Sequence, residues 1–114
     1  MAKLNIPAEF LDDYLDHIKT DYIMWFGDRV KQDVVRDMID NFRANVGYDI
    51  GAKYIKVMTG GSVHSFIVNK AGGKFPLGTV LKAASWKAPA MNFGRANLLD
   101  RNTWTNHIRW TGAL

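Results

Sequence analysis

The sequence predicts an α+β protein: N-terminal helices over residues 1–46, then a small, strongly bent antiparallel β-barrel over 47–114, all within one domain. Three observations carry this expectation. Apolar residues recur at helical spacing up to Gly47 and with period two after it. Turn residues crowd the second half, in TGGS (59–62), KAGGK (70–74) and FPLG (75–78). Charge divides at the same place, with six Lys/Arg against nine Asp/Glu in residues 1–46 and nine against two in 47–114.

The first helix starts at Pro7, whose fixed φ suits a first helical turn, with Glu9 near the positive end of the helix dipole. Phe10, Leu11, Tyr14, Leu15 and Ile18 make one apolar face. The aromatic stretch TDYIMWFGD (20–28) breaks that pattern, and Asp28 offers an N-cap for a second helix. On this helix Val30, Val34, Met38 and Phe42 stand at i+4 spacing, flanked by Val35 and Ile39, and are read as core. Gly47 is the expected C-terminal stop.

From there the strands follow. KYIKVM (53–58) and VHSFIVN (63–69) flank the TGGS turn as a hairpin. Pro76–Gly78 turns the chain into a third strand through Ser85. NLLDRNTW (97–104) and NHIRWTG (106–112) complete the set. The last is read as an exposed edge, with Trp110 as an apolar anchor for a second copy of the chain.

The bulk properties exclude several function classes. With no cysteine among 114 residues, disulfides, thiolate chemistry and cysteine zinc sites are ruled out. No apolar run approaches the ~20 residues of a membrane helix, and the first ten residues turn acidic too soon for a signal peptide. The expectation is a soluble cytoplasmic protein. His17, His64 and His107 sit in no catalytic or metal-binding motif, and Asp12, Asp13 and Asp16 read as a solvated helix face. No phosphate-binding loop or dinucleotide fingerprint is present. A non-enzymatic protein without cofactor is expected.

The segment LKAASWKAPAMNFGRANLLD (81–100) stands apart. Its strand cannot continue centrally through Pro89, which has no ladder donor. Residues 86–97 therefore form an ordered loop rich in groups that stack, bind anions or donate hydrogen bonds. With neighbouring bases on the strands they nominate a nucleic-acid surface: Lys56, Lys82, Trp86, Lys87, Asn92, Phe93, Arg95, Asn97 and Arg109. A single-stranded ligand needs that pairing of a basic surface with exposed aromatic faces, each stacked base contributing about 1–3 kcal/mol.

The stretches KYIKVMTGGSVHSFIV, FPLGTVLKAASWKAPAMNFGRANLLD and IRWTGAL resemble a family of small uncharacterised proteins of tailed phages of marine bacteria. The resemblance covers most of residues 42–114, and its distinctive part is LKAASWKAPA followed by Arg95-Ala96-Asn97. This chain departs from it at Gly78-Thr79, where a Gly-Asp pair is usual, and at Ala96, where glycine is usual. The resemblance implies a viral context and no established activity. The strand pattern is similar to SH3-like small barrels, including Sm-type RNA-binding proteins, an analogy of fold that does not deliver function. The leading expectation is a phage accessory protein that binds RNA or single strands as a homo-oligomer. The rival is a protein-interaction module of phage assembly that binds no nucleic acid.

Overall fold

A computed structural model describes residues 2–114. Helix α1 (Ala8–Phe26) is followed by a 3-10 turn (Gly27–Lys31) and helix α2 (Asp33–Asn45). The strands are β1 (Val46–Ile50), β2 (Tyr54–Thr59), β3 (Val63–Val68), β4 (Thr79–Lys82), β5 (Ala96–Asn97), β6 (Ile108–Arg109) and β7 (Gly112–Ala113). β1 to β5 make one antiparallel sheet in sequence order, while β6 and β7 pair separately.

The α+β class holds and the closed barrel does not. β1 and β5 lie at opposite edges of an open sheet with no ladder between them. The chain between β4 and β5 spans residues 83–95 and makes only one isolated bridge, Ala83 to Pro89. With Pro89 unable to donate and little regular strand beyond Lys82, nothing carries the sheet round to meet its first edge.

Alternation along the strands gives the sheet two different faces. On the inner face Ile55, Val57, Ile67 and Val80 are all fully buried, packed in one cluster with Leu11, Tyr14, Leu15 and Ile18 of α1. Burial of a side chain of this size contributes about 1.5–3 kcal/mol, so this seam fixes the helix on the sheet. On the outer face Phe66, Val68 and Leu81 form a second cluster, flanked by half-buried Tyr54, Val63, Phe75 and Ala83. No helix covers that face. Residues 83–95 run beside it instead.

Several sequence expectations are corrected. α1 runs through the aromatic stretch to Phe26 and is stopped by Gly27, whose φ of 58° favours glycine and whose N–H bonds Met24 O. α2 begins at Asp33, so Asp28 lies in the 3-10 turn and caps nothing. Of the six apolar residues assigned to this helix, Val35 and Ile39 are buried, whereas Val34 is 64% and Met38 44% exposed. The partner surface explains the choice: Tyr22, Phe26 and Trp110 receive Val35, Ile39 and Phe42, and the six-residue stripe is wider than that surface. Gly47 ends no helix; Asn45 does, and the extended Val46 leads straight into β1, which the sequence reading omits. Residues 98–104 form a turn and a short 3-10 helix, because the Asp100 carboxylate accepts from Asn102 N. The half-buried Trp110, read as an anchor for a second copy, packs its ring on Tyr22, Phe42 and Trp25 of its own chain.

Two buried polar devices tie the layers together. Asn69 is fully buried, donates to Lys3 O and Gly51 O, and accepts from Asn5 N, which pins the N-terminal segment against the sheet. Beneath α1, Tyr14 Oη and Ser65 Oγ are 2.8 Å apart, and His64 Nδ1 and Ser65 Oγ are also 2.8 Å apart. His64 Nε2 donates to Arg109 O at 2.6 Å. A carbonyl only accepts, so the neutral ring carries its proton on Nε2 and accepts at Nδ1. Ser65 must then donate to His64 and accept from Tyr14, which leaves no donor over. Burial drives the His64 pKa down to about 4, with the Arg109 carbonyl pulling the other way. Burial also pushes the Tyr14 phenol up.

Candidate nucleic-acid interface

The nominated residues separate into three groups. Lys56 and Trp86 come together: Lys56 Nζ lies 4.9 Å from the Trp86 ring centroid and 5.9 Å from that of Phe66. Trp86 itself is 50% exposed. The side chain of Lys56 stands on the outer face because Ile55 and Val57, its neighbours in β2, both point into the core. Lys87, next to Trp86, is exposed in a turn built by Ser85, whose Oγ accepts from Lys87 N and Ala88 N.

The second group is Asn92, Phe93 and Arg95. The Arg95 guanidinium carbon is 3.8 Å from the Phe93 ring centroid, and Asn92 Oδ1 accepts from Arg95 Nη2 at 3.4 Å. Phe93 is 53% exposed. Arg95 Nε is buried without a hydrogen-bond acceptor among the described residues. The backbone holds this arrangement: Arg95 N bonds Val80 O, and Gly94 lets the chain pass close to Thr79, whose Cγ2 would stand 2.6 Å from a Cβ there.

The remaining residues lie elsewhere. Asn97 is a structural clamp, with Oδ1 accepting from Leu99 N and its carbonyl from Thr103 Oγ1 and Trp104 Nε1. Arg109 sits in the β6–β7 hairpin, 3.5 Å from Asp21 of α1. Lys82 is exposed at the end of β4, on the opposite side of that strand from Leu81. Arg101, in the basic half but not nominated, is held by Asp13 at 2.6 Å and lies over Phe10.

Electrostatics distinguish the loop, the outer face and the neighbouring strand ends from the rest. The three ion pairs among the described residues use Arg36, Arg101 and Arg109. Lys53, Lys56, Lys70, Lys74, Lys82, Lys87 and Arg95 have no carboxylate within 4 Å. The one acid in register with this face, Asp49, stands opposite Lys56 across β1 and β2 without an ion pair.

The sequence reading missed a cleft beside this group. Lys53, Lys70 and Lys74 ring a space of about 290 Å³ walled by Tyr54, Phe75 and Met91. Its signal was the KAGGK loop with basic ends, which periodicity leaves unassigned. Among the described residues no three His, Cys, Asp or Glu side chains stand together as metal ligands. No helix among them is long and apolar enough to cross a membrane.

Fold and surface thus define a class: an antiparallel sheet backed by helices on one face, with a basic, aromatic-bearing loop on the other. The particular chain belongs to a family of unknown function (DUF7717), whose pattern matches residues 11–114. No curated protein and no solved structure matches it.

Proposed function

We propose that this protein is a non-enzymatic nucleic-acid-binding module that holds RNA or single strands on the loop 83–95 and the adjoining outer sheet face. The observation that supports this most is the pairing of Lys56 with Trp86 and of Arg95 with Phe93, where each ring is half exposed. A cation on one ring face leaves the other face for a base and stands near the base's phosphate. On the sequence resemblance we extend the proposal to a phage accessory protein acting in the host cytoplasm. Self-association through the open edge of β1 is part of the same reading.

Titration with fluorescent single-stranded DNA and RNA at about 50 mM salt tests it. Binding should weaken steeply as salt rises, because phosphate contacts release counterions. Absence of binding at that salt would end the proposal. A protein-only interaction module is the second reading, and it draws on exposed Met24, Trp25, Val34 and Met38 of the helical layer. Oligomeric mass by light scattering over a dilution series tests self-association separately.

A further inference from the structure

We infer that the cleft between the ends of β2 and β3 and the KAGGK loop is a subsite for a nucleoside monophosphate unit, with the base against Tyr54 and Phe75 and the phosphate among Lys53, Lys70 and Lys74. The inference deepens the nucleic-acid reading and rests on it for the identity of the ligand. The three lysines come together for a topological reason. Tyr54 and Val68 are partners in the β2–β3 ladder, and Asn69 N bonds Lys53 O one step further on. Lys53 and Lys70 therefore leave adjacent strands at the same end. Lys74 closes the loop from the other side: its Nζ donates to Met91 O at 2.5 Å and lies 5.3 Å from the Phe75 ring centroid.

The walls suit a flat apolar group. Tyr54 and Phe75 are half-buried, Val68 is buried beneath, and Tyr54 Oη reaches Met91 Sδ at 3.6 Å. At about 290 Å³ the cleft stands at the small end of ligand sites, room for one nucleotide and not for several stacked bases. No acid lines it. The rim is bare backbone: Gly72 has φ of 87°, which favours glycine, and neither Gly72 nor Gly73 has an atom within 4 Å of where a Cβ would stand. An anion can therefore approach the rim as closely as the lysines.

Three lysines without carboxylate partners favour a phosphate monoester, which carries more charge than the diester of an internal nucleotide. Two sources supply that group, the phosphorylated end of a strand and a free mononucleotide, and one set of titrations distinguishes them. Matched oligonucleotides with a 5′-phosphate, a 3′-phosphate or hydroxyl ends are compared with AMP, UMP and inorganic phosphate as competitors. The variants are Lys53→Gln with Lys70→Gln, and separately Tyr54→Leu, with thermal melts confirming the fold.

The expected result is tighter binding of one phosphorylated end by about tenfold, the size of one charge-assisted contact set. The double lysine variant should abolish that preference while retaining hydroxyl-ended binding through Lys87 and Arg95. Tyr54→Leu should weaken AMP more than inorganic phosphate. If AMP and UMP bind at about 1 mM with the same lysine dependence but oligonucleotides do not bind, the cleft is a free-nucleotide site and the wider nucleic-acid reading fails alone. If oligonucleotides bind without end preference, unaffected by the double variant, the subsite is overturned and the wider reading stands. Inorganic phosphate competing as well as AMP would overturn the aromatic half of the inference.

Discussion

Trp25 and Trp86 are the two most exposed tryptophans and both carry a cation, yet they belong to different kinds of surface. Trp25 is 57% exposed on α1, with Arg29 5.2 Å from its ring. It also leans on Phe26 at 5.0 Å and on Trp110 at 5.6 Å, so it is the outer member of an aromatic cluster. Acids surround it in sequence, Asp21 and Asp28 among them, within a half of net charge −3. Trp86 pairs with no other aromatic ring among the described residues, and Lys56 Nζ lies 4.9 Å from its centroid. Its half of the chain has net charge +7. A cation over an aromatic ring is thus no signature by itself. What separates the two is whether neighbouring rings already use the aromatic surface and which charge surrounds it.

Removal of a central ring from the helical cluster tests that contrast with the largest expected effect. Tyr22 stacks on Phe42 at 4.0 Å and meets Trp110 edge-on at 4.9 Å. Tyr22→Ala should cost about 3–5 kcal/mol of stability in denaturant titrations. Oligonucleotide affinity, measured well below the melting temperature, should stay unchanged. A loss of affinity in the folded variant would mean that the two surfaces are coupled.

The buried network under α1 gives the next effect, through pH. The folded pKa of His64 lies at about 4, below the ordinary value of 6.5. Between those values the unfolded chain takes up a proton that the folded chain refuses. Stability is therefore complete above about pH 6.5 and falls as pH drops toward 4, by at most about 1.4 kcal/mol per pH unit. Denaturant midpoints across pH 4–7 measure this, and His64→Gln should remove that component of the slope. A wild-type profile that is flat over this window would exclude the buried, neutral His64.

Changes within the loop should act on binding. Lys87→Ala with Arg95→Ala should weaken all single-stranded ligands about evenly and flatten the salt slope by about 2. Phe93→Ala should cost about 1–3 kcal/mol of binding and leave the slope nearly intact. Melts recorded alongside must show little loss, because a ring more than half exposed stabilises the fold weakly. Several kcal/mol of lost stability would instead make Phe93 a plug of the sheet.

The sharpest comparison sets the two tryptophans side by side, one with a clear effect and one with almost none. Trp86→Ala should reduce oligonucleotide affinity by about 1–3 kcal/mol, whereas Trp25→Ala should change it by less than about 0.5 kcal/mol. Equal losses would show that exposure alone, without the basic setting, governs stacking on this protein.

Much of this was legible in the sequence, and its limits have physical causes. The switch of period near Gly47 located the change from helix to strand, because 3.6- and 2-residue repeats reflect local backbone geometry. The α1 face of Leu11, Tyr14, Leu15 and Ile18 was legible for the same reason, as were the TGGS hairpin and the turn at Gly78, whose φ is 89°. The loop around Pro89, expected over 86–97 and found over 83–95, and the charge division followed from residue chemistry alone. Tertiary packing decided the rest. Val34 and Val35 are equally apolar, and only the position of Tyr22, Phe26 and Trp110 determines which one is buried. Sheet closure depends on whether β5 reaches β1, a long-range pairing that no local pattern encodes. Arg109 and Arg101 read as free cations until Asp21 and Asp13, 88 residues away in each case, are brought beside them. The Lys53–Lys70–Lys74 cleft exists only because an antiparallel ladder returns residue 70 to residue 53. Local geometry is written in neighbouring residues, whereas partners across the fold are chosen by packing and register.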